Sequence, residues 1–525
     1  MTRTPKLFLA FALLTQAAFF WFVAYHRFID ADEGIYLLAS RLVLAHKTPY
    51  LDFFYNQAPL LPYAYAAWMK CTRVSWDSGK FLSALLASLS GTVICAHVFR
   101  QTKSTLAAIS AVVLFACNTL VFAWFTVVKT YALSGLLLFS AYAIISWQAR
   151  PSSKWLILAG GVLFGLSVDT RSYVVLILPV FLWWITENAE LHTGLRSSLW
   201  FLAGMGIGVM PSLMLFLSAP DAFLFDNLLY HGLRSSHGLI GGWTEKLVIV
   251  LQLFLGDGEG NGLQWSLLVV AGFVPLLLHS RLSAATRWAL RMGAFLALVC
   301  LLPTPAYPQY FSICVPFLVV GAVCAAKEFL ADLESKPEKQ LLAAGCVFLM
   351  MVYLGAAAHD LWRYLVTGDA VPGVKAAADK ADWRLARERE VSRAIDQVTR
   401  PGEVVASFWP GDIFETQADA FPGFENPFGL PIAGKLSAEE RAKYHILSLA
   451  DVDASFAASR SRVVVLRNQV ISPFSAEAGK GIWDNGERFR NALIASGYAP
   501  IRVIGGITVY ECCAQSKGQS KGSNE

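Results

Sequence analysis

Three carboxylates, Asp30, Asp32 and Glu33, follow directly on the apolar run Leu7 to Tyr25. A fourth, Asp52, stands in the aromatic stretch Pro49-Tyr50-Leu51-Asp52-Phe53-Phe54-Tyr55-Asn56-Gln57-Ala58-Pro59-Leu60. Acidic groups beside a bilayer are costly unless paired or solvated, which makes them functional candidates by default. A carboxylate at such a boundary can take the proton of a hydroxyl, with its pKa tuned by desolvation and by neighbouring cations. Asp32 and Glu33 are adjacent, so on a helix they point about 100° apart and cannot face one substrate atom as a symmetrical pair. One is expected to act and the other to support. The competing account is a solvated helix start with Asp30 or Asp32 as its N-cap, and spacing does not decide between the two.

Cations that could meet a phosphate stand further along. Lys129 and Arg171 lie at the ends of apolar runs, and Arg234 is flanked by His231 and His237 in the largest middle loop. Ammonium and guanidinium groups bind phosphate through charge-assisted hydrogen bonds, although each of these residues alone also fits interfacial snorkelling. The histidine spacing is loose for a metal, so no cofactor is assigned and a divalent metal stays open. In Pro303-Thr304-Pro305-Ala306-Tyr307-Pro308-Gln309-Tyr310, three prolines and two tyrosines make a rigid corner that can stack on a sugar or line a lipid groove. An interfacial aromatic belt with a turn explains it equally well. Gly204, Gly206 and Gly208 sit inside an apolar run, where close helix packing accounts for them better than a phosphate loop does.

The elements that must hold these residues are membrane helices. The 525 residues are 55% hydrophobic and only 15% charged, with a mean hydropathy of +0.49, too apolar for a soluble globule. The net charge of +5 is spread along the chain without a dense basic block, which excludes a nucleic-acid partner. Nine cysteines show no zinc spacing, most lie in apolar runs, and the adjacent Cys512 and Cys513 would pair only with strain. Apolar windows fall at 7–25, 81–99, 106–125, 131–147, 155–168, 173–185, 199–217, 263–279, 288–302, 311–326 and 341–357, about eleven spans. The first is too long for a signal peptide and lacks a cleavage site, so it reads as an uncleaved span. With the amino terminus cytoplasmic, most basic loops fall inside, as topology favours. Six basic residues between Arg27 and Lys80 run against that trend. This threading brings 30–59, Lys129, Asp169 to Arg171, the 220–246 loop and 303–310 to one outer face, as a pocket requires. The chain then divides into a membrane module over 1–359, with its first outer loop at about 27–80, an outer α/β domain over 360–513, and a disordered tail over 514–525.

Asp32-Glu33 beyond the first span, Pro49-Tyr50 with Asp52, and Ala58-Pro59-Leu60 together resemble the first outer loop of the GT-C glycosyltransferases. The likeness is nearest to the group of protein O-mannosyltransferases and lipid A aminoarabinose transferases. It covers the first half of the chain and, more faintly, residues 307–316. The resemblance implies a polytopic α-helical enzyme of the bacterial inner membrane with a carboxyl-terminal domain outside. It further implies transfer of a sugar from a polyprenyl-phosphate donor to an acceptor hydroxyl on a glycan, lipid or protein. Asp32 would be the base or acceptor-positioning residue, Glu33 its partner, and Lys129, Arg171 and Arg234 the phosphate clamp. Where relatives carry Glu-Lys-Pro-Pro-Leu this chain has Asn56-Gln57-Ala58-Pro59-Leu60, so the role of that Glu-Lys pair does not transfer and metal dependence is undecided.

The expected site is therefore Asp32 and Glu33 as catalytic residues, with Asp52, Lys129, Arg171, His231, Arg234, Tyr307, Gln309 and Tyr310 around the substrate. Phe408-Trp409-Pro410-Gly411-Asp412 and Pro422-Gly423-Phe424-Glu425-Asn426 in the outer domain are expected to shape the acceptor side. The alternative is a non-catalytic transporter or assembly subunit for a polyprenyl-linked glycan. Charges gathered at one face, not along the middle of spans, disfavour it.

Overall fold

The computed structural model describes residues 3–147, 153–187, 190–234, 239–256, 262–278, 282–333, 335–369, 371–372, 380–468 and 486–512. His237, Cys513 and the 514–525 tail lie outside them. The amino-terminal part is helical: α1 (Arg3–His26), α2 (Ala31–Leu44), α3 (Leu60–Cys71), α4 (Trp76–Thr102), α5 (Thr105–Ala116), α6 (Thr119–Trp124), α7 (Thr130–Ser146), α8 (Lys154–Thr170), α9 (Leu178–Glu187), α10 (Leu191–Gly208) and α11 (Met210–Ser218). It continues with α12 (Pro220–Leu224), α13 (Tyr230–Arg234), α14 (Leu239–Leu255), α15 (Leu263–Leu278), α16 (Ala284–Cys300), α17 (Val315–Asp332) and α18 (Lys336–Thr367).

All eleven apolar windows are helical, but not all as single rods. Among the described residues four helices are long and apolar enough to cross a membrane, or five if the pair α10 and α11, bent by 54°, is one span. The bend has a local cause, because Pro211 in the first turn of α11 cannot continue the ladder of α10. The window 106–125 divides where the Asn118 side chain accepts from the Leu120 N–H and starts a new helix. Helix α14 is a correction, since much of it was read as the end of an outer loop. Gly204 and Gly208 do serve packing: a Cβ at either would come within 2.1 Å of Leu158 O or 2.4 Å of Val162 O, where α10 crosses α8. Gly206 faces open space instead.

After α18 come α19 (Leu385–Val398) and a five-stranded sheet of order β2-β1-β3-β5-β4, with β1 (Val404–Ser407), β2 (Asp419–Ala420), β3 (Val463–Arg467), β4 (Tyr498–Ile504) and β5 (Ile507–Cys512). Strand β1 runs parallel to β2 and β3, while β5 is antiparallel to β3 and β4. Phe408, Phe456, Val464, Leu466, Phe489 and Tyr510 fill its own core.

This α/β unit is bound to the start of α2. The Trp409 indole donates to Ala31 O at 2.7 Å and stacks on Trp76 at 5.9 Å. The Ile29 N–H donates to Trp383 O at 2.8 Å, and the Arg41 guanidinium donates to the carbonyls of Ile413, Phe414 and Ala418. Backbones meet closely here, for a Cβ on Gly34 would lie 2.6 Å from Gly411 N. Helix α2 is thus shared between the membrane helices and the sheet domain.

Candidate functional site

Asp30, Asp32 and Glu33 take three different positions. The Asp30 side chain caps α2 by accepting from the Asp32 N–H at 3.0 Å, and the Glu33 carboxylate accepts from the Asp30 N–H at 2.9 Å, closing a capping box. Glu33 is fully buried and is held by the Arg27 guanidinium at 3.1 Å and the Lys80 ammonium at 3.0 Å. It does not line the cavity. Asp32 does, with about a quarter of its side chain exposed at 26%. The capping and chemical readings were not exclusive, since different residues of one turn satisfy each.

Lys129, in the turn that begins α7, donates to Asp30 Oδ1 at 2.8 Å and to Asp32 Oδ2 at 2.9 Å. Burial pushes the Asp32 carboxyl up, the Lys129 charge draws it back, and Asp30 adds to the rise, with a net result above the ordinary carboxylate range. Burial alone would lower Lys129, but Asp30 and Asp32 hold it charged, well above its usual value. Lys129 is thereby engaged by carboxylates and not left facing the cavity as a free phosphate ligand.

Two guanidiniums differ from it. Arg171, at the end of α8, is buried; it donates to Thr130 Oγ1 and lies 4.3 Å, 4.7 Å and 4.6 Å from the ring centres of Tyr131, Tyr173 and Tyr310. Among the described residues its Nε–H has no partner. Arg234, half-buried at the end of α13, donates to the Tyr307 hydroxyl at 3.0 Å and lies 5.8 Å from the Phe428 ring. Among the described residues neither contacts a carboxylate. Cation–π contacts soften the burial of such charges without neutralising them.

These groups surround one cavity of about 80 Å³, lined by Asp32, Lys129, Arg171, Arg234, Tyr307, Gln309 and Tyr310 together with Ile35, Tyr36, Asn56, Gln57, Thr130, Tyr131 and Phe428. Seven of the ten expected residues converge there. Glu33, Asp52 and His231 stay out. Asp52 is exposed and accepts from the Thr48 N–H at 2.6 Å, tying a turn. His231 packs on Tyr230, and burial together with the Arg234 charge lowers it to about 4, so it is neutral at neutral pH. Tyr36 stands four residues after Asp32 on the same face of α2 and was legible by that spacing. Phe428 gave no local signal; it arrives from the sheet domain, where the Asn426 amide donates to Asn56 Oδ1 at 3.0 Å.

A second cavity, of about 190 Å³, is wholly apolar in lining and sits among α14, α15, α16 and α17, with Leu253, Phe254, Trp265, Phe273, Ala297 and Phe311 in its wall. Phe311 follows Tyr310 in the chain and meets Trp265 edge-on at 5.6 Å, so one segment touches both cavities. No group of three or more His, Cys, Asp or Glu side chains that could hold a metal occurs among the described residues. Asp32, the carboxylate that lines the polar cavity, is already bound by Lys129, as is Asp30 behind it, so these residues do not compose a cation site.

No family model matches the chain, and no curated protein matches it in sequence. Its structure is similar to that of ArnT from Cupriavidus metallidurans bound to undecaprenyl phosphate, with a TM-score of 0.63 and 13% identity over 97% of this chain and 98% of that one. The apo state of the same protein matches with a TM-score of 0.62, again at 13% identity and 97% and 98% coverage. The chain therefore has the GT-C fold over nearly its whole length.

Proposed function

We propose that this chain is a membrane glycosyltransferase that moves a sugar from a polyprenyl-phosphate carrier to an acceptor hydroxyl, on the outer side of a bacterial inner membrane. The observation that carries the reading is the pair Arg171 and Arg234, two cations without a carboxylate partner among the described residues, facing the same cavity as Asp32. Buried positive charge without an acid is expensive unless an anion arrives to meet it. A lipid phosphate supplies that anion. The similar ArnT structure contains undecaprenyl phosphate, and the apolar cavity beside Phe311 offers a seat for the first isoprene units.

In the proposed step the acceptor oxygen attacks the anomeric carbon and its proton passes to Asp32. The bond from that carbon to the phosphate oxygen breaks, and the phosphate departs as a dianion with inverted configuration at the sugar. Arg171 and Arg234 stabilise the charge that develops on the leaving group, where preorganised donors contribute most. Lys129 positions Asp32, and Glu33 keeps the turn in place from behind through Arg27 and Lys80. An Asp32 pKa above the ordinary range brings the base closer to working pH.

The test is transfer by the purified protein from radiolabelled polyprenyl-phosphate sugars to a membrane-lipid and glycan extract, beside Asp32→Asn and with and without a chelator. Product from the wild type alone, unaffected by the chelator, supports the reading. Full activity in Asp32→Asn sinks the role of that residue. Saturable carrier binding with no product from either protein favours a binding subunit.

A further inference from the structure

Resting on that reading, we infer that Trp409 of the sheet domain is a positioning residue for the transfer, holding the peptide that precedes Asp32 so that the Asp32 carboxylate faces the polar cavity.

Asp32 reaches the cavity from the first turn of α2, and its Oδ2 is drawn aside by Lys129, which binds Asp30 as well. A base tolerates little misplacement, since an error of about 1 Å can cost on the order of 10²-fold in rate. The Ala31–Asp32 peptide, which ends on the Asp32 Cα, is gripped from both sides. Its N–H donates to Asp30 Oδ1 at 3.0 Å, and its oxygen accepts from the Trp409 indole at 2.7 Å. A peptide unit is rigid and planar, so bonds at its two ends fix the direction of the carbon that follows. The first bond comes from the turn itself. The second comes only from the sheet domain.

The indole is well placed to act as a fixed point. Trp409 is 1% exposed and stands just after β1, where its N–H donates to the Ser407 hydroxyl at 3.2 Å and its carbonyl accepts from the Asp412 N–H at 3.1 Å. Trp76 stacks on its ring at 5.9 Å, Trp383 meets it edge-on at 5.0 Å, and the Arg467 guanidinium lies 4.3 Å from it. A Cβ on Gly411 would come within 2.1 Å of the ring, so the indole lies beside α2 only because that position is glycine. Trp383 repeats the hold earlier in the turn, its carbonyl accepting from the Ile29 N–H at 2.8 Å. The two tryptophans thus bracket Asp30 and Asp32 from outside the membrane helices. Side chains locked in this way are what a site needs behind its reacting group. Arg171 and Arg234 stand on other elements, at the ends of α8 and α13, so loosening Trp409 should spare the carrier phosphate.

The experiment compares the full-length protein in detergent with Trp409→Phe, with benzothienylalanine at position 409, and with Phe489→Leu. Benzothienylalanine keeps the bicyclic shape and puts sulfur in place of the N–H, which serves if Trp409→Phe does not fold. Phe489→Leu loosens the core of the sheet domain without touching the indole bond. Two quantities are read: the kinetics of transfer from radiolabelled polyprenyl-phosphate sugars, and the infrared carboxylate band of Asp32, isolated by subtracting the matching Asp32→Asn protein. Both replacements of Trp409 should lower kcat about ten- to hundredfold and change the carrier KM by less than about threefold. They should also displace or broaden the Asp32 band. Phe489→Leu should lower the melting transition and leave kcat and the band in place. An unchanged kcat in the benzothienylalanine protein would overturn the inference. Equal effects from Phe489→Leu would overturn it too, because any loosening of the domain would then suffice. If the wild type transfers nothing while the band still moves with Trp409, the transferase reading falls and the hold on Asp32 stands.

Discussion

Arg467 and Arg171 make an instructive pair, because both are buried guanidiniums laid between aromatic rings. Arg467, in the sheet domain, lies 4.3 Å and 4.9 Å from the rings of Trp409 and Trp383, and it donates to Asp412 at 2.6 Å and to Glu388 at 2.5 Å. Arg171, beside the polar cavity, has three tyrosine rings and the Thr130 hydroxyl, and among the described residues no acid. The first is paired inside the protein with two carboxylates, although Glu388 Oε2 keeps no partner among the described residues. The second leaves its Nε–H unpartnered among the described residues. Similar surroundings therefore carry different meanings, and the presence of the counter-ion separates a charge that holds the fold from one that waits for a ligand.

The largest effect should come from breaking the Arg467 pairing. Arg467→Met strands two buried carboxylates, and removing one member of a buried pair costs about 3–5 kcal/mol. The sheet domain should lose protease resistance and its melting transition should fall; an unchanged transition would refute the contrast from that side. Arg171→Met removes a cation that has no carboxylate partner among the described residues, so the fold should survive. Sugar transfer should fall about 10²–10³-fold, the range seen when a preorganised donor to a developing anion is lost. Parallel loss of folding and transfer in that variant would erase the distinction.

Glu425 offers an intermediate case, since it is buried, accepts from the Gly423 N–H at 2.5 Å and is raised to about 7 by burial, with backbone donors pulling the other way. Its folded pKa lies above the unfolded value, so the native state retains a proton that the unfolded chain gives up in between. Stability is thus greatest below the ordinary carboxylate pKa and declines as pH rises towards about 7, by about 3 kcal/mol at most. Chemical denaturation at pH 5 and pH 8 should show the decline, and Glu425→Gln should flatten it. The smallest effect is expected at Phe428, where Leu keeps apolar bulk but loses the ring under Arg234. A three- to tenfold rise in KM with little change in kcat, about 1 kcal/mol, would fit a wall residue.

Much of this was legible before any coordinates. Apolar runs produced helices wherever they occurred, and the short β-rich runs 402–409 and 462–466 hold strands of one sheet, whereas 502–510, which reads as one strand, divides between two antiparallel strands at Gly505 and Gly506. The site emerged because carboxylate, guanidinium and tyrosine at the ends of separate spans had to meet at one face. What stayed hidden depends on contacts between distant parts. Adjacent Asp32 and Glu33 could be told to differ, but which one faces inward was decided by Arg27 and Lys80. Lys129 could be placed at the site, but its ion pairs with Asp30 and Asp32 could not be read. Helix α14 was obscured because Gly241-Gly242 and Glu245-Lys246 interrupt its apolar pattern.

The grip of the sheet domain on α2 has a consequence for how the protein comes into being. Trp409 meets Ala31 across 378 positions, and Asn426 meets Asn56 across 370. The turn bearing Asp32 emerges from the ribosome among the earliest segments, yet its cavity is walled by one of the latest. A nascent or truncated chain, though already threaded through the bilayer, would hold its cations and its carboxylate without a finished chamber. Synthesis itself then acts as the interlock: the cavity's binding surface is complete only after the two ends of the polypeptide have joined.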